Sequence, residues 1–148
     1  MGNLGQLCNF EYLDHTADIM FVWGKDLKES FEQMALAMMH YMVELDTVEM
    51  DDSAVTHEIK VSGHDMDSLL FAYMDECLFI FNTEFSIFKE IEILSIDRES
   101  FTIEARAKGI ELDKSKHTTG TEIKAITYSC MEIKEAQDKS EVYLIVDI

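Results

Sequence analysis

Two stretches with apolar residues at helical spacing lie among runs that alternate apolar and polar positions. Together they predict an α+β fold, a single compact domain of two main helices packed on a mixed or antiparallel β-sheet. The chain has 148 residues, 47% of them hydrophobic and spread along its length. That is enough for one sizeable core and too little for two ordinary domains. It contains no proline, repeat or low-complexity tract, so no linker is marked in the usual way.

The first helix is announced by Gly24-Lys25-Asp26, with Asp26 as N-cap and Glu29 three residues later. Leu27, Phe31, Met34, Met38 and Met42 then recur on one face. A second helix opens near Asp65 and carries Met66, Leu70, Met74, Cys77 and Phe81, with Leu69, Tyr73 and Leu78 widening the stripe. Period-two runs predict strands: Val55 to Val61, Ile91 through a shift at Leu94 to Ile96, and Phe101 to Ala107. Asp97-Arg98-Glu99-Ser100 reads as the turn joining the last two. The tract DKSKHTTGTE, 113–122, is a long polar loop in which Gly120 gives conformational freedom. Beyond it, IKAITYSCMEI and VYLIVDI read as strands apolar on both faces.

Twelve basic against thirty acidic residues give a net charge of −18. Such a surface repels nucleic-acid phosphates and argues against tight direct RNA binding; it fits a solvated face, a basic partner protein or a bound cation. No run reaches the roughly 18 unbroken apolar residues of a membrane span. The opening MGNLGQLCNFEY lacks the layout of a secretory signal, and Gln6 departs from an acylation signal. The expectation is a soluble, intracellular protein, cytoplasmic or nuclear, with no membrane association. Cys8, Cys77 and Cys130 show no C-x-x-C spacing, so reduced thiols are expected, with Cys77 and Cys130 as small core residues.

Two places collect hard oxygen donors. Tyr12 to Ile19, YLDHTADI, brings Asp14, His15, Thr16 and Asp18 into five positions. On composition alone a turn in which an aspartate bonds nearby backbone N–H groups is favoured over a ligand set. At the other end the apolar run from Val142 continues to Asp147 and Ile148 with no polar tail. A strand apolar to its last residue is expected to be pinned in the sheet, holding the Asp147 carboxylate and the terminal carboxylate of Ile148 close together. A cation relieves such repulsion. If Asp18 faces them, the oxygen-only set suits Ca²⁺, Mg²⁺ or Mn²⁺ rather than zinc, with His15 in support. Alternatively Asp147 is a solvated carboxylate. Lys124, where loop gives way to strand, can orient a phosphate or a partner carboxylate, or ride on the solvent side. His40, His57 and His64 are scattered and receive no chemistry, and Trp23 is core or partner surface.

At YLDHTADI, GTEIKAITYS and the terminal IVDI the chain resembles the archease family, and the order of elements between them agrees, including WG before the first helix, SLLF opening the second and the LSID turn. The resemblance runs from about Phe10 onward, so residues 1–9 are expected to be a flexible segment and 10–148 the archease-like domain. It implies a compact α+β fold and a non-catalytic cofactor protein for an RtcB-type tRNA-splicing ligase, promoting its guanylylation and repeated turnover. It places a metal site on Asp18, Asp147 and the Ile148 carboxylate, with a functional Lys124; Asp14 and His15 are the accompanying groups. Met20 stands where much of the family has Gly, and Ser129 where many members have His, so no role of that histidine carries over.

Two other function classes compete. The ten Met and many aromatic residues fit a chaperone-like binding module in which a metal, calcium for example, is only a structural staple. A small metal-dependent hydrolase with His15 as base is the third, disfavoured because no further general acid or substrate pocket is visible.

Overall fold

The structure, a computed structural model, describes residues 17–148. In chain order it comprises β1 (Ala17–Gly24), α1 (Leu27–Met42), a 3-10 turn (Leu45–Thr47), β2 (Val55–Ser62), α2 (Met66–Glu84), β3 (Ser86–Asp97), β4 (Thr102–Glu111), β5 (Ala125–Ile126), β6 (Glu132–Glu135) and β7 (Ser140–Asp147). The strands form two sheets, and every pairing is antiparallel. In one, β7 is central, with β1 on one edge and β5 followed by β6 on the other; in the second the order is β2-β4-β3. The expected α+β class is the observed one.

Both helix starts follow from local chemistry. Asp26 is extended and accepts the Glu29 N–H, while Glu29 reaches back to the Lys25 N–H. Asp65 accepts the Ser68 N–H, and the Ser68 hydroxyl accepts the Asp65 N–H, a reciprocal capping box. Helix α1 packs against β1, β3, β7 and α2, and so joins the two sheets. Its stripe is fully buried at Phe31, Met34, Met38 and Met39. Tyr73 of α2 is buried beside Phe31, rings 6.0 Å apart, and its hydroxyl donates to the Phe31 carbonyl at 3.1 Å. Phe81, expected on the buried stripe, is only partly covered; Ile80 is buried instead.

The shift foreseen at Leu94 is a break in register between Ile93 and Ser95. A bulge strands a backbone donor, and here the Ile93 N–H is taken by the Glu32 carboxylate at 2.8 Å, which also meets Lys28 at 3.1 Å. The turn is as expected: the Asp97 carboxylate accepts the Glu99 and Ser100 N–H groups, and Phe101 takes a positive φ of 52°.

Two expectations need correction. IKAITYSCMEI is not one strand: pairing stops after Ile126 and resumes at Glu132. Between them the Thr127 hydroxyl donates to the Ile145 carbonyl and accepts the Ser129 N–H, and Cys130 adopts φ 52°, which no ladder tolerates. Cys130 is accordingly half-buried rather than core, whereas Cys77 is fully buried and burial pushes its thiol pKa up. The methionine stripe of the first helix is core, as its helical spacing predicts, and among the described residues no methionine is fully exposed. Met20, Met34, Met38, Met39, Met42 and Met74 are core, and the exposed large apolar residues among those described are Trp23, Val55, Phe79, Phe85, Leu94 and Tyr128.

Because Phe31 is fully buried in the core and packs on Tyr73 of α2, Phe31→Ala is expected to cost about 3–5 kcal/mol, measured as a lowered urea midpoint. An unchanged midpoint would contradict this packing.

Candidate functional site at the end of the central strand

Strand β7 is buried at Val142, Tyr143, Leu144, Ile145 and Val146, so its apolar residues on both faces reflect burial on both faces. Its last rung is held on both edges: Asp147 pairs with Ala17 on one side and Ala125 on the other, and its carbonyl accepts the Lys124 N–H at 2.7 Å. One rung earlier Val146 lies between Asp18 and Ile126. Ala17-Asp18, the described end of the first tract, and the tracts GTEIKA and IVDI, more than a hundred residues apart at their extremes, thus meet at one end of one sheet.

Register also fixes direction. Paired residues share a face and neighbours alternate, so Asp18 points with Val146 and Met20 toward α1, and Asp147 to the opposite face. Asp18 is half-buried; Asp147 and Lys124 are exposed. The Asp18 Oδ2 accepts the Tyr41 hydroxyl at 2.6 Å and Oδ1 accepts the Ile19 N–H at 2.8 Å. Burial first, then the hydrogen bond to the Asp18 carboxylate, pushes the Tyr41 phenol up to about 12.

The polar loop is tied to the end of α1, where helix carbonyls lack partners. Gly120 N–H donates to the Met42 carbonyl at 2.7 Å, Thr121 N–H to the Tyr41 carbonyl at 3.0 Å and Glu44 N–H to the Thr118 carbonyl at 2.8 Å. Gly120 is needed for close approach rather than for flexibility: a Cβ there would stand 2.4 Å from the Tyr41 carbonyl oxygen. His117 is folded inward, its Nδ1 accepting the Asp113 N–H at 3.0 Å. Lys114 and Lys116 stay exposed.

Asp14 and His15 lie outside the described residues. Among the described residues no three His, Cys, Asp or Glu side chains gather to hold a metal. The chemistry of the donors nonetheless fits a hard cation, since among the described residues the strand end offers oxygen donors. Asp18 keeps acceptor capacity beyond its two hydrogen bonds, a carboxylate having about four lone-pair sites. With Asp18 and Asp147 on opposite faces, a cation at Asp18 requires oxygen donors besides aspartate side chains. Sequence reasoning missed Tyr41 and Thr121. Tyr41 sits three residues after Met38 and seven after Met34, which marks a position beside the buried stripe but not the carboxylate it meets. Met20 fills core space opposite Leu144, and Ser129 lies in the loop between β5 and β6, beside the exposed Tyr128, whose ring stacks on Phe71 at 4.3 Å.

These features define a small antiparallel α+β domain with an oxygen-rich strand end built from three separated motifs. Over residues 10–148 the chain matches the family described as Archease protein family (MTH1598/TM1083), and it belongs to that family. It is 71% identical to a "Protein archease-like" of Dictyostelium discoideum over 98% of this chain and 97% of that one. It is 46% identical to "Protein archease" of Ictalurus punctatus over 94% and 85% respectively. The solution structure of Methanobacterium thermoautotrophicum protein 1598 matches with a TM-score of 0.71 and 30% identity, covering 93% of this chain and 96% of that one.

Two outcomes follow from the Tyr41 and Gly120 geometry. A phenol raised in the native state contributes stability that is complete below its ordinary pKa of 10.0 and is lost as pH climbs toward about 12. The alkaline fall in unfolding free energy is therefore expected to be shallower in Tyr41→Phe than in wild type over that window, read by denaturant melts at stepped pH; identical slopes would refute it. Gly120→Ala is expected to lower stability by about 1–3 kcal/mol through overpacking, read as a lower thermal midpoint.

Proposed function

We propose that the protein is a non-catalytic accessory factor of an RtcB-type tRNA-splicing ligase, promoting the ligase's guanylylation by GTP and its multiple turnover in a cation-dependent way. The observation that carries this reading is the convergence of Asp18, Lys124 and Asp147 at the end of β7, in a chain that belongs to the Archease family over residues 10–148. In this reading Asp18 and the terminal carboxylate of Ile148 hold a divalent cation, Ca²⁺ or Mg²⁺ and in third place Mn²⁺, with Asp14 and His15 in support; Asp147, expected from the sequence as a further ligand, has its side chain on the opposite face and adds to the negative charge of the strand end. When bound, the cation offsets the negative charge of the strand end and supplies a Lewis-acidic centre. The exposed Lys124, anchored by its N–H to the Asp147 carbonyl, offers an ammonium to a phosphate or carboxylate of the complex.

The net charge of −18 supports a basic docking partner, because opposite fields speed encounter and orient it. It disfavours the RNA itself as the primary partner. The reading is compatible with the cytoplasm and the nucleus alike.

The test is guanylylation of the cognate ligase by GTP, at low ligase concentration, with wild type, Asp18→Ala, Asp147→Ala and Lys124→Ala. Stimulation by wild type, its loss in Asp18→Ala and a reduced response with Asp147→Ala and Lys124→Ala is the expected pattern. No stimulation by wild type would remove the activator role, whereas full stimulation by Asp18→Ala would remove the cation-centred part alone.

A further inference from the structure

Tyr41 is tied to Thr121, although eighty residues separate them in sequence: Thr121 N–H donates to the Tyr41 carbonyl at 3.0 Å. The Tyr41 phenol spends its proton on Asp18 Oδ2 at 2.6 Å, so one residue in the last turn of α1 holds the strand carboxylate by its side chain and the loop by its backbone. Three residues beyond Thr121, Lys124 N–H bonds the Asp147 carbonyl at 2.7 Å, and register returns from β7 to Asp18 through Val146. Asp18, Tyr41, Thr121, Lys124 and Asp147 therefore lie on one closed path of hydrogen bonds and short chain segments. Every link is made at the end of α1, at the end of β7 or in the loop between them.

We infer that Tyr41 is a positioning residue: it fixes the Asp18 carboxylate for a cation and couples occupancy of Asp18 to the loop that carries Lys124. This rests on Asp18 being a cation ligand, as proposed above. A carboxylate with one oxygen on a backbone N–H and the other on a rigid phenol presents its remaining lone pairs in a set direction, whereas without the phenol it rotates about its side-chain bonds. Groups that orient a ligand in this manner alter metal affinity by about 10–100-fold. Coupling of this kind is reciprocal. If the Tyr41 bond favours the bound cation, the bound cation favours the Tyr41 bond, and with it the grip of Thr121 and Gly120 on the end of α1.

The experiment is Ca²⁺ titration by calorimetry, together with amide hydrogen exchange with and without Ca²⁺, on the full chain as wild type and Tyr41→Phe. Tyr41→Phe keeps the ring and the backbone bonds; circular dichroism confirms that it folds. The expected result is Ca²⁺ binding by wild type, weaker by about tenfold or more in Tyr41→Phe. Exchange at the Gly120 and Thr121 amides should slow on Ca²⁺ addition in wild type and not in Tyr41→Phe. Wild type and Tyr41→Phe binding Ca²⁺ alike, with the same slowing of exchange, would overturn the positioning role while leaving the cation site standing. Absence of Ca²⁺ binding in wild type would instead overturn the cation assignment, and this inference with it.

Discussion

The double-edged pairing of β7 is the constraint on which the candidate site depends. Its residues from Val142 to Val146 are buried, and each edge is hydrogen-bonded to other strands, so sliding by one position would exchange the two faces and break both ladders. The consequence is mechanical. A strand that cannot slip delivers its last residue to a fixed place, and the residues paired with it arrive there too. Asp18 and Ala125 are positioned by backbone pairing to β7 rather than by attraction between their side chains.

The second support is the C-terminal end of α1. Carbonyls at a helix end need donors, and here the polar loop supplies them from Gly120 and Thr121. A segment with little apolar content of its own is thereby held in a defined path, anchored further on by the buried Ile123. Lys124 follows directly. The same tie explains why Tyr41, a helix residue, meets a strand carboxylate through its hydroxyl and a loop amide through its carbonyl.

Charge is distributed differently from structure. The outer face of the β2-β4-β3 sheet carries exposed ion pairs such as Lys60 with Glu104 at 3.4 Å and Arg106 with Glu58 at 3.1 Å. Pairs of this kind contribute at most about 1 kcal/mol each. They organise the surface and leave the fold to the apolar core. The large acidic excess acts at longer range, on what approaches the protein. That suits a domain whose candidate site lies at an open strand end.

By itself the sequence determined the helices, their caps and most strands. Periodicity and capping are local properties, visible at Leu27 through Met42 and at Asp65 with Ser68, and the bulge at Leu94 shows as a slip in alternation. It also marked the three motifs through their resemblance to a family. Tertiary structure alone decided which residues meet. The interruption at Thr127–Cys130 depends on a hydroxyl reaching the Ile145 carbonyl and on a positive φ, neither of which alters the apolar pattern. The opposite facing of Asp18 and Asp147 depends on a register set by both edges of β7. Tyr41 and Thr121 were illegible for the same reason: a hydrogen bond across 23 or 80 residues is fixed by the packing of α1 against the sheet, and no local spacing encodes it.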